Sequence, residues 1–137
     1  MIRLLSLALL GTGAVFFHTH LKTSFPKADE VVGQAPAEIT LTFTARPELP
    51  LTRIGLFTAD STPLKLDRAR PGRDTLTVAA RVVSPIPAGN YIVTWRTASR
   101  DGHIVRGSYH FGYTTDPAAV PTAATRPAET PAQHSHK

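Results

Sequence analysis

Asp101-Gly102-His103 sets a carboxylate and an imidazole two residues apart, in a chain with no cysteine and a single methionine, Met1. If the backbone is extended there, both side chains leave it on the same side. Two chemistries are open to such a pair. The groups can hydrogen-bond to each other across a turn, or they can converge on a metal ion. With no thiolate available and Met1 lost on processing, a metal has to be held by nitrogen and oxygen donors. That set suits Cu(II), Zn(II) or Ni(II) better than Cu(I). The other histidines fall into three groups. His18 and His20 lie near the start, and His134 and His136 near the end. His110 alternates out of phase with Tyr109 and Phe111, which points it away from a core.

The pair sits between two alternating segments. Tyr91, Val93 and Trp95 share one face of the first, and Tyr109, Phe111 and Tyr113 share one face of the second. Upstream, residues 38–44 alternate strictly, with Ile39, Leu41 and Phe43 inward and threonines outward. Further strands are expected over residues 18–25, an edge strand stopped by Pro26, and over 52–58, 63–66 and 74–83. Residues 27–36 read as a turn and 68–73 as a basic loop. Gly89-Asn90-Tyr91 has the spacing of a tyrosine corner, in which the phenol bonds back to upstream backbone; the alternative is a plain core tyrosine. About seven short strands and no convincing helix predict an all-β, immunoglobulin-like Greek-key β-sandwich.

Composition bounds what this sandwich can be. At 137 residues and 42% hydrophobic, the chain can bury one modest core and forms one domain with two ends. The formal charge is +5, but the arginines are dispersed singly and no basic block interleaves with aromatics. Nucleic acid is therefore not an expected partner, and only a weak attraction to anionic membrane surfaces is left open. Met1-Ile2-Arg3, an apolar run from Leu4 to Leu10 and small residues at Gly11 to Ala14 have the layout of a secretory signal. Residues 1–17 are read as that signal, with cleavage after Ala14 or after Phe17. Residues 18–114 are the domain, and 115–137 a Pro/Ala/Thr-rich disordered tail carrying His134 and His136. A monomer is expected.

Several of these pieces together resemble the copper-resistance protein C (CopC) family of periplasmic copper-binding proteins. The resemblance runs from about His18 to Tyr113. It rests on His18-Thr19-His20-Leu21, on Ala35-Pro36-Ala37-Glu38-Ile39-Thr40-Leu41, and on Gly89-Asn90-Tyr91 through Trp95-Arg96. Ser99-Arg100-Asp101-Gly102-His103 and Gly107-Ser108-Tyr109-His110-Phe111 complete it. It implies a periplasmic protein with one Cu(II) site that joins the two ends of a sandwich. In that family the first mature residue is a histidine that chelates through its amine and imidazole; His18 is the matching position. The Asp-x-His element supplies a carboxylate and a second imidazole, matching Asp101 and His103. His20 is either a supporting ligand or a solvent-facing strand residue. Arg96 is either a sheet-surface residue or a partner for Asp101. The family's Cu(I) site is built from methionines, and this chain has only Met1, within the predicted signal, so no Cu(I) site is expected.

Three functions follow for comparison. The first is sequestration of Cu(II), or its transfer to a CopD-type inner-membrane protein or another periplasmic copper protein. The second is a metal-free immunoglobulin-like module for adhesion or interaction. The third is an enzyme, for which the sequence offers neither an aromatic platform for a polymer nor a nucleophile elbow around Ser99. A non-enzymatic role is expected.

Overall fold

The computed structural model describes residues 19–120. The signal segment, His18 and most of the predicted tail, with His134 and His136, lie outside the described residues.

Nine strands follow in order: β1 (Leu21–Phe25), β2 (Val31–Val32), β3 (Glu38–Phe43), β4 (Arg53–Thr58), β5 (Pro63–Leu64), β6 (Arg70–Pro71), β7 (Thr77–Arg81), β8 (Gly89–Ala98) and β9 (Ile104–Tyr113). They form two sheets, ordered β1-β3-β7-β6 and β2-β9-β8-β4-β5. The chain changes sheet after β1, β2, β3, β5 and β7, and this crossing between two antiparallel-dominated sheets is consistent with the Greek-key arrangement of an immunoglobulin-like sandwich. All neighbours pair antiparallel except β2, which runs parallel to the end of β9, with Val31 opposite Gly112.

Alternation builds the core. Ile39, Leu41 and Phe43 of β3 are completely buried, while the threonines between them face outward at the sheet surface. Opposite them, β8 contributes Tyr91 and Val93, and β9 contributes Tyr109 and Phe111. Tyr91 stacks on Phe111 at a centroid distance of 5.3 Å, and Trp95 meets Phe43 edge-on at 5.3 Å. The Tyr91 hydroxyl donates to the Pro87 carbonyl four residues upstream, so the tyrosine corner is present.

Two strands lie where turn and loop were expected. Both β2 and β6 are two residues long, and pairing with β9 and β7, not local pattern, makes them strands. β7 is shorter than expected because Asp74 holds a turn before it, accepting from Leu76 N at 3.0 Å. Beyond β9, at the start of the segment expected to be disordered, Pro117–Ala119 form a 3-10 turn capped by the Asp116 carboxylate.

Candidate metal centre

β8 and β9 are joined by a five-residue corner, Ser99 to His103. Ser99 N donates to His103 O at 3.0 Å and Gly102 N to Ser99 O at 2.9 Å. Gly102 has φ of +85°, the left-handed conformation that glycine adopts without a Cβ clash. A tight turn followed by a left-handed residue is the usual way to close a three-residue hairpin loop. It places Asp101 at the tip and His103 at the first step back into β9.

Inside that corner the carboxylate is fully engaged. Asp101 Oδ1 accepts from the Ser99 hydroxyl and from His103 N, the latter at 3.3 Å. Asp101 Oδ2 lies 2.7 Å from His103 Nδ1. These bonds hold the Asp101 carboxyl well below the ordinary carboxylate range, the Ser99 hydroxyl contributing most and His103 next. The group is therefore ionised throughout the range in which imidazoles are neutral. Both side chains remain open to solvent, Asp101 about half exposed and His103 about two-thirds.

Of the two chemistries open to Asp101 and His103, the hydrogen bond is formed. Both groups are also open to solvent, so Asp101 Oδ2 and His103 Nδ1 could hold a divalent ion together in place of the proton they share. The fit is chemical as well, since one anionic oxygen and one neutral imidazole suit a borderline divalent ion. Among the described residues, no group of three metal-binding side chains assembles.

The beginning of the described chain arrives at the same end of the sandwich. Thr19 is buried, and the backbone of His20 is pinned to Thr44 from both sides: His20 N donates to Thr44 Oγ1 at 2.9 Å, and Thr44 N to His20 O at 2.8 Å. Leu21 then pairs with Phe43, whose ring meets Trp95. From there Glu48 N donates to Ala98 O at 3.0 Å, one residue before the corner. Thr19 and His20 are thus fixed at this end of the sandwich.

The remaining expectations fall out by strand parity. His20 and His110 are exposed. Arg96 is exposed on β8 between Arg53 of β4 and Arg106 of β9, and it is not joined to Asp101. The reason is alternation: Trp95 faces the core, so Arg96 faces outward, and the corner supplies Asp101 with Ser99 and His103 instead. Ser99 was weighed from sequence only as a nucleophile. Its role is to hold the carboxylate, and the signal was a hydroxyl two residues before an acid at the mouth of a hairpin.

Comparison with known proteins agrees with this architecture. The CopC domain family matches residues 21–114. The copper resistance protein C of Escherichia coli is 33% identical over 101 residues, covering 69% of this chain and 79% of the relative. A copper resistance protein C of Xanthomonas campestris pv. juglandis is 33% identical over 110 residues, 76% of this chain and 86% of the relative. Among solved structures, CopC from Methylosinus trichosporium OB3b superposes with a TM-score of 0.65 at 26% identity, covering 70% of this chain and 93% of that one. PcoC, a methionine-rich copper resistance protein from Escherichia coli, gives 0.63 at 31% identity, covering 71% and 99%.

Proposed function

The chain belongs to the CopC domain family, and from that premise we propose that it is a periplasmic Cu(II)-binding protein of copper resistance or homeostasis. It holds one Cu(II) per chain and sequesters the ion or passes it to a membrane or periplasmic partner. Asp101 and His103 supply an oxygen and a nitrogen, and His18, as the first residue of the processed chain, supplies its amine and imidazole. Three nitrogens and one oxygen make the tetragonal set that Cu(II) prefers. The observation that carries this reading is the 2.7 Å approach of Asp101 Oδ2 to His103 Nδ1, at the end of the sandwich where His20 is anchored to Thr44.

Each donor has a physical role. Amine and imidazole on one residue form a chelate, so the second bond costs little additional ordering. The ionised Asp101 offsets part of the dication's charge. The β8–β9 hairpin holds its pair before the ion arrives, which limits reorganisation. A Cu(I) site is not part of the proposal: PcoC is described as methionine-rich, whereas this chain has only Met1. The role is carriage, not catalysis.

The test joins two measurements on the exported protein. Mass spectrometry is expected to find His18 as the first residue, and calorimetric titration to find one equivalent of Cu(II) bound. Binding should weaken as the solution is acidified, because protons compete with the ion for its nitrogen donors. A processed chain that starts at Val15, or one that takes up no Cu(II), overturns the proposal.

A further inference from the structure

Next to the corner, the outer face of the five-stranded sheet carries a row of like charges. Arg53 pairs directly with Arg96, and Arg96 with Arg106. With strands about 5 Å apart, the three arginines occupy about 10 Å of one line across β4, β8 and β9. Like charges directly opposite each other on a sheet are destabilising. The sheet does nothing to relieve this. The outward positions of β4, β8 and β9 include no Asp or Glu, and among the described residues the acidic side chains that form ion pairs are Glu38, Asp67 and Asp101, bonded to Arg70, Arg81 and His103. Arg53 donates from Nη1 to the carbonyls of Pro50 (3.0 Å) and Thr52 (2.8 Å), which fixes its guanidinium without neutralising it.

The row borders a shallow groove whose lining includes Gly55, Thr94 and Ser108 as well as the three arginines. Fork-shaped guanidinium donors beside hydroxyls make a surface for oxyanions, carboxylates above all. Arg96 and Arg106 each lie three residues from the ends of the corner, Ser99 and His103. Ile104 is an exposed apolar residue directly after His103.

We infer that this face docks a partner protein through a carboxylate-rich segment seated on Arg53, Arg96 and Arg106, with Ile104 at its rim, beside the copper corner. The inference rests on the proposed copper function for its purpose, but not for its charge complementarity. A protein segment fits better than a lipid surface. The cations are confined to one row along a shallow groove whose lining also includes Ile54, Trp95, Thr94 and Ser108, which offers a segment apolar and hydroxyl contacts beside the charges. The other large exposed apolar side chains, Phe25, Leu51 and Val83, lie on other elements.

The probe is a hexaglutamate peptide, added to isotope-labelled processed protein at low salt and followed by amide chemical shifts. Shifts centred on Arg53, Thr94, Arg96, Arg106 and Ser108 are expected. Arg96→Ala/Arg106→Ala should weaken binding at least tenfold, whereas Lys22→Ala/Arg73→Ala, which removes equal charge elsewhere, should change it less than twofold. Shifts spread over the molecule, or equal losses in the two double variants, overturn the inference. So does tighter binding to phosphatidylglycerol vesicles than to the peptide through the same arginines, because the occupant is then a membrane. Cu(II) titration of Arg96→Ala/Arg106→Ala is expected to match the parent. If neither protein binds Cu(II), the copper proposal fails, while the peptide result stands or falls on its own.

Discussion

The two ends of β8 use the same local device to opposite effect. At its entry, Tyr91 is buried and sends its hydroxyl back to Pro87 O, which ties the incoming loop to the core. At its exit, Ser99 sends its hydroxyl to Asp101, which in turn faces His103, and the acid and imidazole stay open to solvent. One end uses a side-chain-to-loop bond to close the sandwich, the other to hold an acid and an imidazole together at its rim. The difference lies in burial. A polar group satisfied inside the core contributes to stability, and one satisfied at the surface is free to exchange its partner for an ion.

Substitutions should separate the two ends. Tyr91→Ala removes a buried ring stacked on Phe111 and should cost about 3–5 kcal/mol by denaturant unfolding. His103→Ala should leave the unfolding midpoint nearly unmoved, because its ring is largely exposed, yet reduce Cu(II) affinity tenfold or more, above about 1.4 kcal/mol. A loss of stability equal to that of Tyr91→Ala would mean the exit corner is structural too. Tyr91→Phe keeps the stack and deletes only the bond to Pro87, for about 1 kcal/mol, with Cu(II) affinity unchanged.

The smallest effect is the most specific. Ser99→Ala removes the largest cause of the lowered Asp101 carboxyl, so that group should titrate closer to its ordinary value, as read by carboxyl carbon chemical shift against pH. In the parent the folded chain binds fewer protons at Asp101 than the unfolded chain does. The stability this contributes is present above about pH 4 and is lost as pH falls through the lowered value. Ser99→Ala should flatten that acid-side loss. An unchanged Asp101 titration would contradict the role given to the hydroxyl.

Much of this was legible in the sequence, and the exceptions share a cause. Ile39, Leu41 and Phe43 alternate strictly, and a half-buried strand leaves no other way to arrange them. The Gly89-Asn90-Tyr91 corner likewise carries its own local mark. β2 does not: Val31 and Val32 become a strand only because the end of β9 lies alongside, a contact between residues about eighty apart. Arg96 could have been placed from parity alone, since an inward Trp95 forces it outward. What alternation along one strand does not reveal is that Arg53 and Arg106 stand on either side of it, because register between strands is set by the whole sheet. The Asp101–His103 pair was visible as a spacing, but its 2.7 Å approach depends on the left-handed Gly102 and on Ser99.

Electron paramagnetic resonance of the processed protein with one equivalent of Cu(II) tests the central claim most directly. The account predicts a single tetragonal Cu(II) spectrum with nitrogen couplings, one ion per chain, that is altered by His103→Ala and by blocking the amine of His18. A spectrum indifferent to both changes, or the spectrum of aqueous Cu(II) alone, would contradict it.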